Sequence, residues 1–250
     1  MNAQSGHYGN ALQAASAGGY QEIVKLLLDQ GADINAKGGE FGNALQAASA
    51  GGHQAIVELL LNQGADINAQ GGRYRNIQGS LYGNALQAAS AGGHQKIVKL
   101  LLDQGADINA QDGSYNNLQN GLYGNALPAA SARGHQEIVK LLLDQGADIN
   151  AQGGYYGNAL QATAEKGHQE IVKLLLDQGA DINTQGGHYG NALQAASAGG
   201  HQAIVELLLN QGADINAQGG YYGNALQAAS ERGHQEIAKL LQQRGTITSS

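Results

Sequence analysis

The sequence predicts an all-α solenoid of seven helix-turn-helix units joined by hairpin-like connectors, two of them lengthened. Three observations carry this expectation. A tag of aromatic, Gly, Asn, Ala, Leu recurs at Tyr8, Phe41, Tyr82, Tyr123, Tyr156, Tyr189 and Tyr222, in steps of 33, 41, 41, 33, 33 and 33 residues, and a fixed period in this range marks a stacked repeat array. Each copy holds two short stretches of helical periodicity, each closed by Gly. Hydrophobic residues reach 42% of the chain but aromatic ones only 5%, so Leu, Ile, Val and Ala must fill a core that grows along one axis.

The stretch 156–187 justifies the elements of every unit. Asn158 suits a helix N-cap, where its side-chain oxygen accepts from the first backbone N–H groups, and Gln161 can reach back to complete a capping box. A short helix over 159–166 follows, Ala-rich so that neighbours can approach. Gly167 ends it with a left-handed conformation that residues bearing a Cβ avoid. A second helix is expected over 168–178: Ile171, Leu174 and Leu175 form one apolar line, Val172 and Leu176 widen it, and Glu170 and Lys173 face water. Gly179 stops it. The polar run after it is turn-rich and returns the chain to the next first helix. Two antiparallel helices cannot bury their apolar faces alone; stacked units can. The expected units are 8–40, 41–81, 82–122, 123–155, 156–188, 189–221 and 222–245, with a frayed tail at 246–250, all in one domain spanning 1–250.

Leu160, the small patch Ala162-Thr163-Ala164, Gly167-His168, Ile171-Val172, Leu175-Leu176, Gly179-Ala180 and Asn183 resemble the ankyrin-repeat pattern, and the match recurs in all seven units. One departure is consistent. Where that family commonly has Thr-Pro-Leu-His at the start of the first helix, this chain has Asn-Ala-Leu-Gln, so each unit lacks the stiffening of Pro at the first helical position. The wording Gly-Gly-x-Tyr-Gly-Asn-Ala-Leu-Gln-Ala-Ala-Ser is similar to the C-terminal ankyrin arrays of fungal NOD-like (NACHT-type) receptor proteins. These resemblances imply a protein-binding scaffold, its concave groove and connector tips forming the recognition end of a larger receptor-like protein.

The two ends differ. In the last unit Ala238 and Gln242 stand where internal units carry Val and Leu, so the outer face turns polar as a terminal cap should. At the other end Asn2-Ala3-Gln4 repeats the closing residues of a unit, as at Asn150-Ala151-Gln152, and Ile23, Val24, Leu26, Leu27 and Leu28 keep the internal apolar pattern. The expectation is a piece cut from a longer array, able to self-associate through an uncapped N-terminal face. Two connectors gain eight residues each, 41 less 33, in the related segments 73–81 and 114–122; a lengthened hairpin is the expected form, with Tyr74, Arg75, Tyr115 and Asn116 as its candidate contacts.

Several function classes fall away. A net charge of -7 with singly scattered basic residues offers no footprint for nucleic acid. The chain has no Cys, hence no disulfides, no thiolate nucleophile and no sulfur-bound zinc. The apolar runs are too short for a membrane span, and a cytoplasmic location is expected. Catalysis needs a unique constellation, whereas nearly every polar residue here belongs to a repeated column. His53, His94, His135, His168, His201 and His234 could suggest a metal or base array, but the ankyrin resemblance implies that this His bonds backbone near the helix start. The column Asp33, Asp66, Asp107, Asp148, Asp181 and Asp214 would hold carboxylates a helix diameter apart, too far for one calcium ion at oxygen distances near ~2.4 Å. The Gly-rich turn before each first helix lacks the Lys of a phosphate loop. No enzyme activity, cofactor or metal is therefore expected. Pro128, which replaces the capping Gln in the fourth unit, reads as tolerated drift because a missing N–H is cheap in the first turn.

Positions where the copies disagree are the remaining pointers to recognition, since 42–72 and 190–220 are identical in sequence. The connector tip varies through His7, Glu40, Leu81, Leu122, Tyr155, His188 and Tyr221. The end of the first helix changes to Arg133, to Glu165-Lys166 and to Glu231-Arg232. Exposed Tyr and Arg suit binding hot spots. The expected function is capture of a protein partner at these positions; the alternatives are neutral drift on a solvated surface and a structural spacer with no specific ligand.

Overall fold

In the computed structural model the described residues are 8–71, 83–111 and 122–247. His7, Tyr74, Arg75, Leu81, Tyr115, Asn116 and nearly all of both insertions lie outside them. Among the described residues fourteen helices run in seven pairs: α1 (Ala11–Ala17) and α2 (Gln21–Asp29), α3 (Ala44–Gly51) and α4 (Gln54–Asn62), α5 (Ala85–Gly92) and α6 (Gln95–Asp103), α7 (Ala126–Ala132) and α8 (Gln136–Asp144), α9 (Ala159–Lys166) and α10 (Gln169–Asp177), α11 (Ala192–Gly199) and α12 (Gln202–Asn210), α13 (Ala225–Glu231) and α14 (Gln235–Ile247). None of them is long and apolar enough to cross a membrane.

The first helices pack side by side as one row, and the second helices form an outer row that touches itself more sparsely. Side-chain size decides the difference. Ala47, Ala88, Ala129, Ala162 and Ala195 are completely buried between neighbouring first helices, and small residues let backbones close up. In the second helix Ile171, Val172 and Leu175 are buried, whereas Leu174 and Leu176 are only partly covered. The covered face is thus narrower than the whole apolar line. Outside it, Lys25, Lys140, Lys173 and Lys239 pair with the Glu three residues before them in exposed ion pairs that contribute little.

Asn158 Oδ1 accepts from Gln161 N at 2.9 Å and Gln161 Oε1 accepts from Asn158 N at 3.0 Å, which is the expected capping box. The Gln does more. Its Nε2 donates to Thr184 O at 3.1 Å in its own connector and to Gly190 O at 2.9 Å in the next unit. Gln13, Gln46, Gln87 and Gln194 make the same two-way bridge. Pro128 is therefore more than drift: it has no amide to donate, and Asn125 caps Leu127 N instead.

The histidines also differ from expectation. None caps the helix it precedes; Nε2 of His53, His94, His135, His168, His201 and His234 bonds a carbonyl at the end of the preceding unit's first helix, at 2.8 to 3.1 Å. The column is an inter-unit tie, and its ring nitrogen is already engaged. At the far end α14 runs on through Gly245 to Ile247, where a frayed tail was expected to begin. Thr246 and Ile247 stand where internal units carry Ala and Asp after the Gly, so the turn sequence is lost and the helix continues.

Buried hydroxyls on the first helices form another column. Ser197 Oγ donates to Leu193 O at 2.7 Å, but Ser16, Ser49, Ser90, Ser131 and Thr163 have buried side-chain oxygens with no hydrogen-bond partner. An unsatisfied buried hydroxyl is a cost that Ala removes. Ser131→Ala should leave stability unchanged or raise it by up to ~1 kcal/mol, and urea unfolding would check it; a clear loss would mean that the hydroxyl is satisfied in solution.

Candidate functional site

Among the described residues four connectors turn on themselves through an antiparallel bridge between two glycines, as Gly186 N donating to Gly190 O at 2.7 Å. The tips are then tied to one another. His188 N donates to Tyr155 O at 2.7 Å, and Tyr221 N donates to His188 O at 2.8 Å. This backbone ladder fixes the rings above it. Tyr155 and His188 stack with centroids 4.5 Å apart, and His188 and Tyr221 stack at 5.0 Å. Behind this strip lies a second column, with Tyr123 on Tyr156 at 5.9 Å and Tyr189 on Tyr222 at 6.4 Å. Edge-on contacts such as Tyr155 to Tyr156 and His188 to Tyr189 join the two. Tyr221, at the end of the strip, is 72% exposed.

Facing the tyrosines are the ends of the first helices. Glu165, Lys166, Glu231 and Arg232 line a hollow of about 580 Å³ with Ala198, Gly199, His201 and His234. The hollow exists because the sixth unit carries Ala198 and Gly199 where its neighbours carry charged side chains. Tyr189 OH donates to Glu165 Oε1 at 3.2 Å. Lys166 Nζ stands 3.0 Å from Glu165 Oε2, an ion pair rather than an aligned hydrogen bond, and 5.7 Å above the Tyr156 ring, within cation–π range. Arg133, one unit earlier, donates from Nε to Tyr123 OH at 3.0 Å.

The helix pairs, the glycine-bridged connectors and the tip ladder agree with a comparison of sequences: the family model described as "Ankyrin repeats (3 copies)" matches residues 12–112, 113–186 and 184–249. The chain belongs to the ankyrin-repeat family. Ankyrin repeats are in general non-enzymatic modules for protein–protein interaction. In fold the chain is similar to the ankyrin repeat domain of human ASB11, with a TM-score of 0.70 and 24% identity over 93% of this chain and 97% of that one. It is also 71% identical over 34 residues to the azaphilone pigments biosynthesis cluster protein L of Monascus ruber, a match that covers 14% of this chain and 7% of that protein's length.

Within this ankyrin array, of the residues singled out by sequence, Tyr155, His188 and Tyr221 come together as the strip, and Glu165, Lys166, Glu231 and Arg232 come together round the hollow. Leu122 is exposed on the tip preceding Tyr155, Arg133 stands outside the hollow, and Glu40 sits on the first connector, apart from both groups. The inner column of Tyr123, Tyr156, Tyr189 and Tyr222 was missed as a functional element. Its signal was present in the aromatic of every tag, but constancy there reads as structure.

Burial shapes the electrostatics. It raises the pKa of Tyr155, Tyr156 and Tyr189, and Glu165 adds to the rise, so these hydroxyls remain protonated donors. Burial would lower the Lys166 pKa, but Glu165 and Tyr156 outweigh it and raise it. His188 is lowered, first by burial and then by Arg232. Because its folded value lies below its unfolded one, its share of stability is complete above the ordinary histidine range and lost as pH falls through the folded value. An imidazole NMR titration should give a midpoint below 6.5, and Arg232→Ser should move it upward; no movement would remove Arg232 as a cause.

Proposed function

We propose that this chain is an interaction module that captures a protein partner along the Tyr155, His188 and Tyr221 strip and in the hollow beside it. The observation that carries this reading is a coincidence of two independent things. Seven of the positions at which near-identical units differ, Glu165, Lys166, Glu231 and Arg232 with Tyr155, His188 and Tyr221 facing them, come together at one concavity. Their chemistry suits recognition: aromatic rings held rigid lose little entropy on binding, and Arg and Tyr dominate hot spots. The ion pair and hydrogen bonds on Glu165 pre-set the wall of the hollow before a partner arrives.

The same reading takes 1–250 as one domain divided at the unit boundaries given above, without enzymatic activity, working in the cytoplasm as the recognition end of a larger receptor-like protein. Leu122 and Arg133 extend the surface by one unit. Glu40 and the two insertions, with Tyr74, Arg75, Leu81, Tyr115 and Asn116, would form a second contact zone.

Affinity capture on immobilised protein tests it. A partner held by the wild type should be weakened by about 1 kcal/mol or more with Tyr221→Ser and with Arg232→Ser, while Lys25→Ser on the outer face leaves it unchanged. Capture indifferent to all three would point to a spacer. The sequence of the parent transcript tests the receptor reading, which requires a nucleotide-binding domain in the same chain.

A further inference from the structure

An acid followed by a base stands at the end of two first helices, and the two doublets behave differently. In the fifth unit the doublet is closed: Lys166 Nζ stands 3.0 Å from Glu165 Oε2, and Tyr189 OH donates to Glu165 Oε1 at 3.2 Å. In the seventh unit it is open. There α13 stops at Glu231 and Arg232 is the capping residue, whereas Lys166 still belongs to α9. Among the described residues Arg232 pairs with no carboxylate; it directs Nε to Ala198 O at 3.4 Å. That bond lays the guanidinium over the sixth unit and leaves its two terminal NH2 groups for another acceptor.

The floor under them offers no such acceptor. A Cβ on Gly199 would run into Glu165 O and the His201 ring, so no side chain of the sixth unit can rise there. His234 Nε2 shares Ala198 O with Arg232, and His201 Nε2 is engaged by Glu165 O. Burial and then Arg232 lower the His188 pKa, so the same charge is felt at the aromatic strip.

We infer that the occupant of the hollow is an acidic peptide segment, with the carboxylate of an Asp or Glu seated on Arg232 and an apolar residue beside it against the strip. This rests on the capture reading above and adds to it the charge of the partner. A guanidinium meets a carboxylate with two parallel N–H···O bonds, and the terminal NH2 groups of Arg232 supply both. A phosphate fits less well. Glu165 and Glu231 line the hollow too, and their repulsion acts twice as strongly on a dianion as on a carboxylate. A basic side chain would have Glu231 to attract it, with Arg232 and Lys166 opposing.

A random peptide library displayed on phage and selected on the immobilised chain supplies the probes, and fluorescence anisotropy of synthetic copies reads their affinity. Selected peptides should carry Asp or Glu next to an aromatic or aliphatic residue. Exchange of that acid for Ser should weaken binding about tenfold, as should Arg232→Ser. The two losses should not add, because they break one contact. Arg232→Glu should prefer the copy with Lys in place of the acid. Arg232 is exposed, so both variants should keep the far-UV spectrum of the wild type. Peptides weakened by Tyr221→Ser but indifferent to Arg232→Ser would overturn the inference and leave the capture reading standing. Additive losses, or tighter binding of a copy with phosphoserine in place of the acid, would do the same. Peptides indifferent to both variants, or no selected peptide at all, would overturn both.

Discussion

Replacing Gln161 with Ala should lower the stability of the chain by about 2 to 3 kcal/mol, a large effect for one polar side chain. The Gln is buried and its side chain makes three hydrogen bonds: it accepts from Asn158 N and ties its own connector and the next unit through Thr184 O and Gly190 O. Removing it leaves the buried N–H of Asn158 without its acceptor and opens a void. Pro128→Gln is the reverse experiment, since it supplies the bridge that the fourth unit lacks; it should raise stability by about 1 kcal/mol. Urea unfolding followed by far-UV circular dichroism checks both. A Gln161→Ala midpoint equal to that of the wild type would show that water replaces the bridge without loss.

Gly187→Ala should cost about 3 kcal/mol. Gly187 has φ of +61°, and an added Cβ would stand 2.5 Å from the carbonyl carbon and oxygen of Tyr156 and from Gly157 N. Those are backbone atoms and cannot rotate aside. The tip would move off its neighbour, so the stack of His188 on Tyr155 should be lost together with stability. Gly179→Ala is the control: its φ is +90° but nothing lies within 4 Å of the added Cβ, so only the conformational cost of ~1 to 2 kcal/mol applies. Near-equal losses for the two variants would refute the crowding argument.

Much of the architecture was legible in the sequence because repetition prints each structural rule several times. Asn158, Gln161 and Gly167 announced the limits of α9, and α10 came within one residue at each end. Contacts between units were harder to read. A period reveals that Gln161 and His168 recur, but not which neighbour each faces, and a capping box explains Gln161 well enough that nothing demands a second role. The strip of Tyr155, His188 and Tyr221 was legible as variation and illegible as a stack, since ring contact depends on how connectors hydrogen-bond to one another. Arg133 looked equivalent to Arg232. The hollow separates them, because it is made by the missing side chains at Ala198 and Gly199.

Pro128 has a mechanical meaning as well. Five glutamine bridges sew the units together, and the sewing skips the junction between the fourth and fifth. What remains across that junction includes the tie from His168 to Ala132 O, the bond from Asp181 N to Asn150 Oδ1, the bond from His188 N to Tyr155 O and the stacks of Tyr123 on Tyr156 and of Tyr155 on His188. If the two ends of the rod were pulled apart, this is the seam that would part first. The hollow would stay whole on one side of the break, while the strip would lose Tyr155 from His188.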